Sequence, residues 1–394
     1  MRFLAFVLLL SFYTISSSAQ AVLKPADPAS AQFSAERLAR LDKLVKEYVD
    51  NKWIPGATMI VAREGKIVYH KSFGYADMQT KKPLQNDAIF RIASQTKAIT
   101  SVGIMMLLEE GKLLLDDPVG KYIPEFNNMQ VLDSFIAKDS SYTTVPAKRK
   151  ITIRHLLTHT SGIDYPQIGN ANSKAIMYKA GIEAGLGVPF LKLEDQMKKL
   201  AVVPLTHQPG ERWTYGLNMD LLGYLIEVLS GQSLDQFFKT RIFDPLGMKD
   251  TYFYLPSSKH SRLVAVAGEN DQRQAIPLSD SVINLHGDIN INYPLTKGTL
   301  YAGGAGLVST ALDYAIFMQM LLNNGTYNGK RLLSPKAVTM MRSEQFAPAY
   351  WNDKVMGLAF SIYTDKSEPK SAPSAGSYEG GGFFSSSFWI DPEK

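Results

Sequence analysis

Residues 91–108, RIASQTKAITSVGIMMLL, place a serine three positions before a lysine and then continue into an apolar run. The run is apolar nearly all round and ends at Glu110 and Gly111, a pattern typical of a buried helix. The spacing of Ser94 and Lys97 puts both side chains on one face of that helix, close enough for a hydrogen bond. We therefore predict that Ser94 lies in the first turn of a core helix, beside Lys97.

Ser94 has two interpretations at this point. The unsatisfied backbone amides of a first helical turn favour a developing alkoxide and offer one donor to an oxyanion, which suits acyl transfer. The Ser-x-x-Lys tetrapeptide is a weak signal when it is taken alone, and by itself it favours an ordinary helix start with a solvated lysine. The pattern leaves both interpretations open.

A lysine can accept a proton from a serine only after it has lost one of its own. With a reference pKa of about 10.4, fewer than about one lysine in a thousand is neutral at pH 7, so burial or a partner is needed. A tyrosine is a natural partner, because its pKa falls beside a cation while that of lysine falls on desolvation. The segment RWTYGLNMDLLGYLIE offers Tyr215 in a turn before a helix, although a tyrosine that only packs in the core has the same local pattern.

Strand patterns at both ends of the chain flank a region of helical patterns. Residues 55–77 form two runs rich in alternating and β-branched residues around a Glu-Gly pair, which indicates a hairpin. Strand-like alternation returns near the C-terminus. We predict one α+β domain over residues 20–394, with an antiparallel sheet built from both ends and a mainly helical region inserted. The sheet is expected from about 20–93 and 300–394, and the helical region from about 94–299.

The first 19 residues, MRFLAFVLLLSFYTISSSA, have the pattern of a secretory signal peptide. They combine one positive charge, a short apolar stretch and small residues at the cleavage position. We therefore expect an exported protein, periplasmic or secreted, whose mature chain begins near Gln20. No later stretch has the about 18 unbroken apolar residues of a membrane span, and no cysteine follows to carry a lipid, so no stable membrane anchor is expected.

Composition and spacing exclude several kinds of chemistry. The chain has no cysteine, which excludes disulfides, thiolate catalysis and cysteine-bound metals. Its formal net charge of +5 is mild and spread along the chain, so we predict no nucleic-acid partner. His155 and His159 have the spacing of a metal pair, but the glutamate that metalloproteases require after the first histidine is missing. A structural role for both is favoured. No G-x-S-x-G elbow occurs, and we predict neither a metal nor a cofactor.

Several stretches together resemble the serine β-lactamase-like hydrolases, the group that contains class C β-lactamases, D-specific peptidases and carboxylesterases. They follow the order of that family over nearly the whole chain and are RIASQTKAITSVGIMMLLEEGKLLLDDPVGKYIPEF, ITIRHLLTHTSGI, PGERWTYGLNMDLLGYLIEVLSG, FDPLGMKDTYF and GGAGLVSTALDYAIFMQMLLNNG. The resemblance implies a β-lactamase/DD-peptidase-like fold. It also implies that Ser94 is the acylated nucleophile, Lys97 its proton partner, and Tyr215 the residue that accepts the proton or relays it to the leaving group.

Two departures from the family pattern bear on the substrate. Class C β-lactamases usually have an asparagine two residues after the tyrosine, where this chain has Leu217, with Asn218 one place later. The third family motif is Lys-Thr-Gly in β-lactamases, and its best match here is Gly380, Gly381 and Gly382. The cation that would hold a β-lactam carboxylate is therefore absent. Both departures favour a neutral ester, because an apolar pocket penalises an unpaired carboxylate.

The resemblance also implies a set of oxyanion and substrate contacts. The backbone amides of Ser94 and Phe383 would be the oxyanion donors, and Gly380–Gly382 would let their strand approach the substrate closely, although a bulge or turn would also explain three glycines. Leu217 and Asn218 are expected beside the substrate, at the position of the family's asparagine.

We predict an exported serine hydrolase that forms an acyl-enzyme on Ser94 and acts as a carboxylesterase on small esters. Its partner is a small-molecule ester or amide, and the sequence does not specify the oligomeric state. Two alternatives stay open. One is a class C-like β-lactamase or D-amino-acid peptidase, and the other is a β-lactam or wall-peptide binding receptor that is acylated without turnover. Similar family members continue past Lys394, so we also expect that a C-terminal strand and helix are missing.

Overall fold

The computed structural model describes residues 21–183, 186–188, 190–278, 282–284, 288–351, 353–367 and 373–394. The predicted signal peptide, residues 1–19, lies outside the described residues. The helices are α1 (Ala35–Asp50), α2 (Thr96–Glu109), α3 (Ile153–Leu157), α4 (Ala171–Lys179), α5 (Leu193–Leu200), α6 (Asn218–Ser230), α7 (Leu234–Phe238), α8 (Asp244–Leu246), α9 (Ala311–Leu322) and α10 (Pro335–Met341).

The strands are short except in the first hairpin. They are β1 (Lys24–Pro25), β2 (Gly56–Arg63), β3 (Lys66–Asp77), β4 (Lys82–Pro83), β5 (Phe90–Arg91), β6 (Gln130–Ile136), β7 (Ser141–Pro146), β8 (Ala267–Glu269), β9 (Ala275–Pro277), β10 (Val282–Asn284), β11 (Asp288–Asn290), β12 (Val308–Ser309), β13 (Thr326–Tyr327), β14 (Lys330–Arg331), β15 (Phe346–Trp351), β16 (Lys354–Met356), β17 (Ser361–Ile362), β18 (Tyr378–Gly382) and β19 (Ser386–Ile390).

The N-terminal sheet is built on the predicted hairpin, which is confirmed. β2 pairs antiparallel with β3, while β1 adds to β3 in parallel and β4 adds to it in the antiparallel sense. The helix α1 begins at an N-cap, Ser34, whose side chain accepts the backbone N–H of Arg37. Its Leu38 is buried with Val68 and Tyr69 of β3, so the helix covers one face of this sheet.

The C-terminal strands form a second sheet in the order β15–β16–β17–β18–β19, with every pair antiparallel. The predicted α+β class is confirmed. We expected one sheet from both ends, and among the described residues the strands of the two ends form two sheets that no pairing joins. Alternation along a sequence identifies strands, but it does not specify which strand edges exchange hydrogen bonds.

The predicted core helix is present as α2, and its residues from Thr96 to Leu107 are all buried. The α-helix begins two residues later than expected, because Ser94 lies in a 3₁₀ turn, Ala93–Gln95, that leads into it. Ala93 has a φ of 43°, in the left-handed region that is costly for a residue with a side chain. The chain therefore enters the helix sharply at Ser94. Within the described ranges, no helix is both long enough and apolar enough to cross a membrane.

The region predicted to be mainly helical contains the helices α3 to α8 and also several hairpins. β6 pairs with β7, β8 with β9 and β10 with β11. The β6–β7 hairpin was not predicted, although VLDSFI and SYTTV carry the β-branched and aromatic residues that favour strands. The helices α3, α5 and α7 pack on α6, and α6 packs on α2. Buried residues of α2 and of this region belong to one large core.

We predict that α6 stabilises the fold through its buried face. Leu222 is completely buried in the core. Leu222→Ala should lower the free energy of unfolding by about 2–5 kcal/mol, because it removes buried methyl groups and leaves a cavity. Val228→Ala, on the same helix with 41% of its surface exposed, should lower it by less than about 1 kcal/mol. Urea unfolding of both variants measures these values, and equal losses would contradict the assignment.

Candidate active site

Ser94 is held at the start of α2 by contacts on both sides. The backbone N–H of Ile92 donates to the carbonyl oxygen of Leu307 at 3.1 Å, and the backbone N–H of Leu307 donates to the Thr96 hydroxyl at 3.1 Å. Leu307, which is far from Ser94 in sequence, therefore holds the turn on both sides of the serine. Because these neighbours are buried, the position of the Ser94 hydroxyl is set by the core.

The ammonium of Lys97 uses all three of its donors. Its Nζ donates to Ser94 Oγ at 3.1 Å, to the carbonyl oxygen of Gly304 at 2.5 Å and to the hydroxyl of Tyr165 at 3.4 Å. Only 5% of the residue is exposed. A lysine ammonium has three N–H donors and no acceptor, so this environment satisfies the charged form completely. The predicted proximity of Ser94 and Lys97 is present in the structure.

Tyr215 reaches the same serine oxygen from another part of the chain. Its hydroxyl donates to Ser94 Oγ at 2.6 Å, and Lys97 Nζ lies 4.7 Å from the centre of its ring. The ring stacks on Trp213 with centroids 5.8 Å apart and lies 4.9 Å from the imidazole of His159. These aromatic neighbours restrict the phenol to the orientation that brings its hydroxyl to Ser94.

Tyr165 and Gly304 complete the surroundings of Lys97, and the sequence did not predict either of them. The ring of Tyr165 lies 5.3 Å from that of Tyr215. Burial raises the pKa of the Tyr165 hydroxyl, and the nearby charges of Tyr215 and Asp220 raise it further, so this phenol stays protonated. Neither residue belongs to a local pattern that points to Lys97, because both contacts join segments far apart in sequence.

His159 supports the site from inside the core. Burial lowers the pKa of its imidazole to about 3, and the charge of Lys97 lowers it further, so the ring is neutral at physiological pH. Its Nδ1 accepts a hydrogen bond of 3.0 Å from the side-chain amide of Asn218. His155 serves differently: its Nδ1 accepts the backbone N–H of Thr152 at 3.2 Å and closes a capping box at the start of α3.

Leu217 and Asn218, which were expected beside the substrate, are both buried in this structure. Leu217 is 1% exposed and belongs to the hydrophobic core, and Asn218 has no exposed surface. Besides its bond to His159, the Asn218 amide oxygen accepts the hydroxyl of Ser161. Both side chains point inward because α6 begins at this position and turns these residues toward the core. Asn218 therefore orients His159, whose ring lies beside that of Tyr215.

The strand β18 passes directly beside the turn Ala93–Gln95 at Gly382. A Cβ on Gly382 would collide with the carbonyl oxygen of Ile92, two residues before Ser94. The hydroxyl of Ser386, on β19, donates to the same carbonyl at 3.5 Å. Gly382 therefore lacks a side chain because the strand must approach this closely. Phe383 follows it with half of its surface exposed. Gly380 and Gly381 lie earlier on the same strand.

No described group of three or more histidines or carboxylates is arranged to hold a metal ion. His155 and His159 do not share a helical face, because α3 ends at Leu157 and His159 has a φ of 55°. The arrangement around Ser94 is thus one hydroxyl that receives hydrogen bonds from an ammonium and a phenol. Such a group can attack a carbonyl carbon and pass on its proton.

The chain is similar over most of its length to known proteins. A family model described as Beta-lactamase matches residues 41–394. Protein Rv1367c of Mycobacterium tuberculosis is 33% identical over 364 residues, which cover 88% of this chain and 85% of that protein. Esterase EstB of Burkholderia gladioli is 29% identical over 375 residues, covering 93% and 90%. The solved structure of EstCE1, a hydrolase with promiscuous acyltransferase activity, has a TM-score of 0.77, with 26% identity and 90% of each chain covered.

We predict that the close approach at Gly382 is needed for activity. Gly382→Ala must push β18 away from Ile92, and a displacement of this kind misplaces the groups around the reacting carbon. The kcat/KM for nitrophenyl butyrate should fall at least about tenfold. Ser387→Ala, which removes an exposed hydroxyl from the neighbouring strand, is the control and should keep the wild-type value. Wild-type activity in Gly382→Ala would contradict the prediction.

Proposed function

The chain belongs to the β-lactamase family and is a serine hydrolase, and we propose that it cleaves small carboxylic esters through an acyl-enzyme on Ser94. One observation carries this proposal: Lys97 Nζ at 3.1 Å and the Tyr215 hydroxyl at 2.6 Å converge on the oxygen of Ser94. A serine hydroxyl in water is a weak nucleophile, and it needs a neighbouring group that takes its proton during attack. Here Lys97 and Tyr215 are both within hydrogen-bond distance, and the pair can take the proton when it has lost one of its own.

The proposed reaction has two steps that both use this pair. First, in the reactive form, in which the pair of Tyr215 and Lys97 holds one proton fewer than an ammonium and a phenol together, Ser94 Oγ attacks the carbonyl carbon of the ester and its proton passes to this pair. The bond between the carbonyl carbon and the alcohol oxygen then breaks, and the pair gives the proton to the departing alcohol. Second, a water molecule attacks the acyl carbon and loses a proton to the pair. The Ser94 oxygen takes that proton back as the carboxylic acid leaves.

The proposed oxyanion site uses the backbone amides of Ser94 and Phe383. The first lies in the turn before α2, and the second follows β18 at the point where Gly382 lies against Ile92. Backbone amides that already have fixed positions stabilise the charge of a tetrahedral intermediate without reorganising during the reaction. The close approach of β18 to the nucleophile turn supports this assignment.

The preference for an ester over a β-lactam rests on charge. The stretch Gly380–Gly382 brings no cation to the nucleophile turn. The lysine nearest to it in this sheet, Lys354, has its Nζ 2.5 Å from a carboxylate oxygen of Glu379 and is already paired. A substrate carboxylate would therefore lose its hydration without gaining a partner. The similarity to EstB and EstCE1 points in the same direction. We also propose export, on the basis of the signal-peptide pattern in residues 1–19.

Relative rates on three substrates test the proposed specificity. We expect the kcat/KM for nitrophenyl butyrate to exceed that for a chromogenic cephalosporin and for a D-Ala-D-Ala peptide by at least about a hundredfold, because both competitors carry a carboxylate. Faster cleavage of the cephalosporin or the peptide would overturn the ester proposal in favour of the corresponding hydrolase. A stable adduct on Ser94 without product release would instead identify a receptor.

A further inference from the structure

Asp220 is a buried acid behind the site that the proposed reaction does not use. It lies in the first turn of α6 with 2% of its surface exposed. Its Oδ1 accepts the backbone N–H of Gly304 at 3.3 Å. Burial raises the pKa of its carboxyl to about 6, while the charge of Lys97 and the Gly304 N–H act in the opposite direction. Carboxylates buried this deeply are rare unless a cation or a set of donors compensates them.

Gly304 links this acid to the lysine. Its N–H is bound by Asp220, and its carbonyl oxygen accepts Lys97 Nζ at 2.5 Å. A Cβ on Gly304 would collide with Oδ2 of Asp220 and would lie 3.3 Å from the hydroxyl of Tyr165. The carboxylate, the glycine backbone and the phenol are therefore in one packed group around Lys97.

The charges of this group favour a specific role for Asp220. Lys97 is buried, and within the described parts of the chain no carboxylate oxygen lies within the 4.0 Å of an ion pair with its Nζ. Asp220 is nevertheless near enough for the ammonium to stabilise its charged form. A buried cation without any compensating charge is strongly destabilised. A carboxylate that is connected to the cation through one intervening residue is therefore expected to compensate its charge.

We propose that Asp220 is a positioning residue for Ser94: its carboxylate balances the charge of the Lys97 ammonium and, through Gly304, holds Nζ beside the serine oxygen. The inference rests on the proposed role of Ser94 and Lys97. It adds one requirement to the proposed reaction: Asp220 must be ionised for full activity.

The titration of Asp220 can be distinguished from the titration of the groups around it. Lys97 faces it from α2, and Tyr165 faces it from the loop after α3. Burial keeps Tyr165 protonated, and the imidazole of His159, with a pKa of about 3, stays neutral above pH 4. Because the pKa of Asp220 is raised to about 6, its charge is present above that pH and is lost as the pH falls through it.

Asp220→Asn tests the proposal, because the amide keeps the size and an oxygen acceptor for Gly304 and removes only the charge. We expect kcat for nitrophenyl butyrate at about pH 7.5 to fall at least about tenfold, while KM changes less than about threefold. The decline of wild-type kcat below about pH 6 should be absent in this variant. Glu227→Gln is the matched control, since Glu227 is on the same helix, accepts the Leu234 N–H at 2.9 Å and has a raised pKa from burial. It should keep the wild-type kcat and pH profile.

Labelling of Ser94 by an organophosphonate separates this proposal from the proposed function. If wild-type Ser94 is not labelled, the proposed function fails. If it is labelled and Asp220→Asn matches the wild type in kcat and pH profile, the role of Asp220 is overturned. If Asp220→Asn does not fold, the labelling rate of the wild type decides: it should fall as the pH drops through about 6, and a constant rate across that pH would also overturn the role.

Discussion

The burial of the Lys97 ammonium is the constraint on which the site depends. A charge taken out of water must recover its lost hydration from fixed protein groups, and an error in any of them is costly. Lys97 recovers it from one hydroxyl, one phenol and one backbone carbonyl, contributed by Ser94, Tyr165 and Gly304. Because all three N–H donors are used, the ammonium has one stable position. The orientation of the nucleophile follows from that position.

The fold supplies these partners from segments that are far apart in sequence. The turn of Ser94 is tied to Leu307, the phenol of Tyr215 is held between aromatic rings, and β18 reaches the turn because Gly382 has no side chain. Each of these elements is anchored in the same large core as α2. The groups around the serine are therefore positioned before any substrate binds, which is the condition under which electrostatic stabilisation is most effective.

Local periodicity predicted the regular elements, and the family resemblance added Tyr215, but most of the distant contacts of the site were not predicted. The hairpin of β2 and β3 and the buried helix α2 follow from alternation and apolar runs, and the proximity of Ser94 and Lys97 follows from helical spacing. Tyr165, Gly304 and Asp220 have no local signal, since their contacts are made only in the folded chain. The burial of Leu217 and Asn218 was not predicted either, because position in a turn does not specify the direction of a side chain.

The most direct test of the account is the intact mass of the protein during turnover of nitrophenyl butyrate, with Ser94→Ala beside the wild type. We expect a butyryl adduct on the wild type and on Ser257→Ala, which lacks only an exposed hydroxyl. We expect no adduct on Ser94→Ala and a loss of hydrolysis of at least about a thousandfold, because attack and proton transfer disappear together. Equal rates and equal masses for Ser94→Ala and the wild type would contradict it.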